Sequence, residues 1–186
     1  MNKIAFLVLF FLFMIPVVGG AGEKAFNDEL NAKVTQLTVL LSDSYAEEYL
    51  PARGVKMLRK GIGNTTVAVV VFSLVGFGKG NNGFQYLAVF NGSEEKTEDD
   101  TSGISLLDYM MVGGIGIRSI EFDQIKINKI ENGILITIPA KEYGTNDASC
   151  CPSIKTIAQF KLKTTPLLGS HRLEEIKKQV KKLNIK

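Results

Sequence analysis

One stretch limits the fold more than any other: the run from Thr65 to Val75. Val67, Val69, Val70, Val71, Phe72 and Leu74 leave it without a polar side. A strand with one wet face alternates apolar and polar residues, and this one does not. It predicts a central strand covered on both faces. Gly76-Phe77-Gly78-Lys79-Gly80-Asn81-Asn82-Gly83 then reverses the chain, because glycine and asparagine tolerate the positive φ of tight turns. Phe84 to Phe90 returns as a second strand. These glycines are a poor match for a nucleotide cradle, since phosphate-binding loops open a helix and this one opens a strand. Phe77, Asn81, Asn82 and Phe84 either cap the hairpin or present a recognition surface, and they form a candidate binding loop.

Before this strand, residues 23–50 read as an amphipathic helix. Phe26, Leu30, Val34, Leu37 and Leu41 recur on one helical face, and Pro51 ends the run. Arg53, Lys56, Arg59 and Lys60 follow as a basic connector. After it, residues 91–103 are polar and acidic, in a spacing that matches no calcium loop. Ile104 to Val112 reads as a strand broken by Gly113-Gly114-Ile115-Gly116. Ile117 to Ile130 is extended, with a change of phase at Asp123-Gln124 that suggests a bulge. Glu131-Asn132-Gly133 is a hairpin signal, and Ile134, Ile136 and Ile138 alternate cleanly behind it. Ile154, Thr156, Ala158, Phe160 and Leu162 share one face of a later strand; Lys155, Gln159, Lys161 and Lys163 share the other. Beyond Pro166, Ser170 suits a helix cap, and Leu173, Ile176, Val180 and Leu183 suit an apolar stripe. The expected fold class is α+β: an N-terminal helix packed on one mostly antiparallel sheet of about five to seven strands, with a short C-terminal helix. Its parts are a helical region 22–64, a sheet core 65–165 and a basic helix 166–186.

Residues 1–21 have the layout of a secretory signal peptide. A polar start with Lys3 leads into the apolar run Ile4–Ile15, then Pro16 and the small residues Gly19-Gly20-Ala21. The run is short for a membrane span, which needs about 20 residues. The expected location is periplasmic or secreted, with no stable membrane anchor after cleavage. The formal net charge is only +3, which gives no argument for nucleic acid as a partner. Export implies a compartment where disulfides persist, but two cysteines are too few to scaffold a fold.

Those two cysteines are adjacent, in Asp147-Ala148-Ser149-Cys150-Cys151-Pro152-Ser153. They can be free thiols, a bond to each other, or bonds to another chain. Neighbouring Cα atoms lie about 3.8 Å apart, closer than the roughly 4.4–6.8 Å of ordinary disulfides. A bond between neighbours is therefore expected to be strained and easier to reduce. Pro152 holds Cys151 extended. Asp147 either closes the turn through its carboxylate or joins the sulfurs around a metal. Structural zinc sites need four ligands in spaced pairs, and His171 is the sole histidine. Asp147, Cys150, Cys151 and Pro152 form a candidate functional loop, with no metal and no cofactor assigned.

The motif Asp-x-x-Cys-Cys-Pro-Ser, between two strands, resembles a signature of uncharacterised bacterial exported proteins, the LppP/LprE-like lipoprotein family. Gly80-Asn81-Asn82, Tyr86-Leu87-Ala88-Val89-Phe90 and Val112-Gly113-Gly114 extend the resemblance over roughly residues 65–163. It implies a small exported domain and no activity. The chain departs from that family in lacking a lipid-attachment cysteine after its apolar leader.

No HExxH, GxSxG, CxxC or phosphate-loop pattern occurs, and the sole histidine, His171, falls at the expected start of the terminal helix and reads as a surface residue. The sequence is read as a non-enzymatic binding protein that acts on a protein or cell-envelope component, an inhibitor or immunity-type protein being one concrete form. The alternative is a thiol redox or metal-handling protein using the cysteine pair.

Overall fold

The structure is a computed structural model, and it describes residues 21–62, 65–80, 82–93, 103–165 and 170–176. Residues 1–20 of the expected signal peptide and Asn81 therefore lie outside the described residues, as do most of the acidic loop and the last ten residues. Among the described residues, one α-helix, α1 (Ala21–Leu41), precedes ten strands. They are β1 (Glu47–Glu48), β2 (Gly54–Leu58), β3 (Thr66–Phe77), β4 (Asn82–Gly92), β5 (Ser105–Gly114), β6 (Ser119–Ile120), β7 (Lys126–Ile130), β8 (Gly133–Glu142), β9 (Ile154–Thr165) and β10 (Ser170–Glu175). Every pairing among them is antiparallel.

The strands form two five-stranded sheets rather than one. The first runs β1-β3-β4-β5 with β2 also on β3; the second runs β10-β9-β8-β6 with β7 also on β8. The reason for two sheets lies in β3. Its odd-numbered Val67, Val69 and Val71 pack with Leu87 and Val89 against Ile134, Ile136, Ile138, Phe160 and Leu162 of the second sheet. Its even-numbered Ala68, Val70, Phe72 and Leu74 pack with Phe90 against Phe26, Leu30, Val34 and Leu37 of α1. The molecule is a three-layer stack of helix, sheet and sheet, with β3 buried on both faces.

Side-chain polar groups fix the helix layer. Arg53 makes a two-pronged ion pair with Glu48 and donates to Asn31 Oδ1 on α1 at 3.1 Å. Glu29 accepts the Ile104 N–H at 2.7 Å. The helix stops at Leu41, short of the expected residue 50, where its apolar stripe ends. Just beyond, the Asp43 carboxylate accepts the N–H groups of Tyr45 and Ala46 and closes a turn. The supposed basic connector is largely strand β2, because β3 offers it a free edge and its lysine can point outward.

Two further expectations are corrected. The phase change near Asp123 is not a bulge: the chain leaves the sheet after β6 and re-enters it as β7, with Ile120 and Ile125 both buried. Among the described residues the C-terminal helix is not seen. Ser170–Glu175 instead pairs residue by residue with the exposed edge of β9, and Leu173 turns into the core. A ladder of backbone bonds outweighs a weak helical pattern here. Val180 and Leu183 of the expected stripe lie outside the described residues.

Phe160 is fully buried at the centre of the second sheet. Phe160→Ala should lower unfolding free energy in urea by about 3–5 kcal/mol, whereas Lys161→Ala, on the wet face, should change it by less than about 0.5 kcal/mol.

Candidate functional site

The cysteine loop joins β8 to β9 and is closed by its own acid. Asp147 Oδ2 accepts the Gly144 N–H and the Ser153 N–H, each at 2.7 Å, and Oδ1 accepts the Ser153 hydroxyl at 2.8 Å. The first and last residues of the Asp-x-x-Cys-Cys-Pro-Ser motif thus hold each other, which is the turn-closing role. These hydrogen bonds, that of Gly144 foremost, hold the carboxyl below its ordinary pKa of 3.8. Cys151 N–H donates to Ala148 O at 2.9 Å inside the loop. Cys150 and Cys151 are bonded to each other across a Cα separation of 3.8 Å, and both are exposed.

Tyr143, at the foot of the loop, ties it to the first sheet. Its hydroxyl accepts the Gly116 N–H at 3.0 Å and donates to the Ser149 carbonyl. Gly116 belongs to the turn between β5 and β6, so this phenol links two turns from different sheets. Gln85 makes a second link from β4. Its amide oxygen accepts the Ile120 N–H at 2.6 Å, and its amide nitrogen donates to Ile120 O at 3.1 Å, as a strand neighbour would. Gly113 allows this approach, because a Cβ there would stand 2.6 Å from Gln85 Oε1 and 2.9 Å from Arg118 O.

Where these turns meet, a cleft of about 260 Å³ opens at the end of the sandwich. Tyr49, Phe84, Ile115, Tyr143, Cys150 and Pro152 give it an apolar and aromatic wall, and Arg118, Gln85 and Ser73 supply polar atoms. Arg118 is not a free cation: it makes a two-pronged ion pair with Glu175 of β10, at 2.7 and 2.8 Å. Two apolar side chains stand open at the rim, Tyr49 at 53% exposure and Ile115 at 42%.

The cleft joins parts of both candidate loops, since Phe84 comes from one and Cys150 and Pro152 from the other. The remaining candidates lie elsewhere. Phe77 packs edge-on against Phe84, with ring centres 5.2 Å apart, on the side of the helix core. Asn82 is exposed and opens β4, and Cys151 faces solvent beside its partner. Asp147 stands behind the loop as its clasp. His171, opposite Thr164 in β10, lies 3.2 Å from the Thr164 hydroxyl. Among the described residues, no group of three or more His, Cys, Asp or Glu side chains could hold a metal. Tyr49, Gln85, Ile115, Arg118 and Tyr143 were not singled out from sequence. Only Gly113-Gly114 hinted at them, by marking a place where chains approach closely. Comparison with family models, curated proteins and solved structures found no match.

The lowered Asp147 pKa fixes the sign of a pH effect. The carboxylate holds the loop at every pH above 3.8, and the hold is lost as pH falls through its lower folded value. Hydrogen exchange should find the Ser153 amide protected at neutral pH and unprotected at strongly acid pH. Asp147→Asn should remove the protection at neutral pH. A Ser153 amide that stays protected in the variant would contradict this closure.

Proposed function

We propose that this protein is an exported, non-enzymatic binding protein that holds a protein partner at the cleft beside the cysteine loop. The observation that carries the reading is the cleft itself. At about 260 Å³ it lies below the roughly 300–1,000 Å³ of small-molecule sites. It has room for one or two inserted side chains. Its open rim of Tyr49 and Ile115 is the kind of apolar and aromatic surface that anchors protein contacts. The bonded cysteines stiffen one wall without adding a hydrogen-bond donor, and soft sulfur packs well on a partner's aromatic ring. Export rests on the layout of residues 1–21, and the likeness of the Cys-Cys-Pro-Ser loop to exported LppP/LprE-like proteins supports the same setting. Among the described residues, no helix is long and apolar enough to cross a membrane.

A second reading is a thiol redox protein. Its specific support is that both exposed cysteines are bonded to each other and not to the rest of the fold. Reduction by an external dithiol, itself oxidised to a disulfide, would add two electrons and two protons, giving two thiols and releasing the stiff wall.

One experiment separates the two readings. Proteins crosslinked to the native chain in its own compartment are quantified for wild type, Ile115→Asp and Cys150→Ser/Cys151→Ser. The binding reading expects a partner depleted by roughly tenfold or more with Ile115→Asp and only moderately with the double serine variant. Equal recovery with Ile115→Asp contradicts it. Loss with the serine variant alone favours the redox reading.

A further inference from the structure

The second sheet has one face in the core and one in water. Ile134, Ile136, Ile138, Ala158, Phe160, Leu162 and Leu173 all point into the core. Alternation therefore sends their neighbours outward. The register places Lys155 opposite Lys141, Lys161 opposite Leu135, Lys163 opposite both Gly133 and Arg172, and Lys126 opposite Thr137. Cations thus come from β7, β8, β9 and β10 together. Glu174 is the acidic side chain that the register adds to this face, and it is ion-paired with Lys163. Glu121 lies 3.8 Å from Lys141 at one edge. Lys126 and Lys155 have no ion-pair partner among the described residues, and Lys161 and Arg172 share the charge of Glu174 without a direct ion pair to it.

The same face also carries apolar side chains, on either side of the polar Thr137–Gln159 pair. Ile157 is 48% exposed and sits opposite Pro139, and Leu135 lies further along β8. Four adjacent strands at about 4.8 Å spacing make a surface roughly 15 Å across. Among the described residues nothing packs on it, since α1 covers the other side of the molecule.

We propose that this face docks on an anionic lipid bilayer. The charge pattern selects an anionic surface, and the open Ile157 beside Pro139 selects a bilayer over a soluble polyanion. Lysine and arginine heads around the rim reach lipid phosphates, while Ile157, Pro139 and Leu135 meet the interface between headgroups and chains. A flat basic face binds many headgroups weakly rather than one tightly, so attachment depends on anionic lipid content and on salt. The cleft lies at the end of the sandwich, where a docked sheet leaves it open.

The test is co-sedimentation of the full native chain with vesicles of phosphatidylglycerol and phosphatidylcholine, and with phosphatidylcholine alone. Binding is expected to the mixed vesicles only, and to fall steeply in high salt. Lys161→Glu/Arg172→Glu should weaken it by about tenfold or more. Lys24→Glu/Lys79→Glu, which changes net charge equally on other parts of the surface, should have little effect. Should the glutamate variant fail to match the wild-type urea midpoint, Lys161→Gln/Arg172→Gln replaces it, with a smaller loss expected. Ile157→Ser should also weaken vesicle binding while leaving binding to soluble dextran sulfate unchanged. The proposal is overturned if the native chain ignores the mixed vesicles. It is equally overturned if both charge-reversed pairs bind alike, or if dextran sulfate is bound and vesicles are not.

Discussion

The burial of β3 on both faces is the constraint on which the rest depends. A strand of Val67-Ala68-Val69-Val70-Val71-Phe72 cannot lie at a surface. Each large apolar side chain left in water would forgo about 1.5–3 kcal/mol. The chain therefore supplies a cover for each side, α1 for the even residues and the second sheet for the odd ones. Both covers are amphipathic for the same reason. Each has one face against β3 or its neighbours and one face in water. The helix shows this as a stripe at helical spacing, the second sheet as alternation along β8 and β9.

The stack also creates the cleft. Two sheets joined through a core must end somewhere, and at one end their turns come together from separate parts of the chain. The β3–β4 hairpin, the β5–β6 turn and the β8–β9 loop meet there, held by Gln85 on Ile120, Tyr143 on Gly116 and Ser149, and Arg118 on Glu175. Polar side chains do this work because turns offer unpaired backbone groups that need partners. The Asp147 clasp and the bond between Cys150 and Cys151 keep the loop in one shape. A wall that is already ordered loses little conformational freedom when a partner arrives.

Much of the architecture was legible in the sequence because it follows from periodicity. The stripe Phe26, Leu30, Val34 and Leu37, the hairpin at Asn132-Gly133 and the alternation of Ile134, Ile136 and Ile138 are local patterns, and each has its expected place. The second sheet was not legible, since a sequence of strands does not say where one sheet ends and another begins. Nor was β10, where a six-residue segment with a helix-like cap was drawn onto the edge of β9. Half of the site could be read. Phe84, Cys150 and Pro152 stood out by residue type, but Ile115, Arg118 and Tyr143 are ordinary residues made a site only by long-range packing. The clasp between Asp147 and Ser153 lay between these cases: its residue types were visible, and its partner six residues away was not.

The bond between Cys150 and Cys151 makes the loop a closed wall of the cleft. The most direct test is thiol alkylation followed by intact mass measurement on protein isolated from its native host under acid quench. A closed loop predicts a monomer that takes no label in denaturant before reduction and two labels after it, one for each cysteine. Two labels without any reductant would mean free thiols and an open wall. A reducible dimer would mean that the cysteines bridge chains instead of closing the loop.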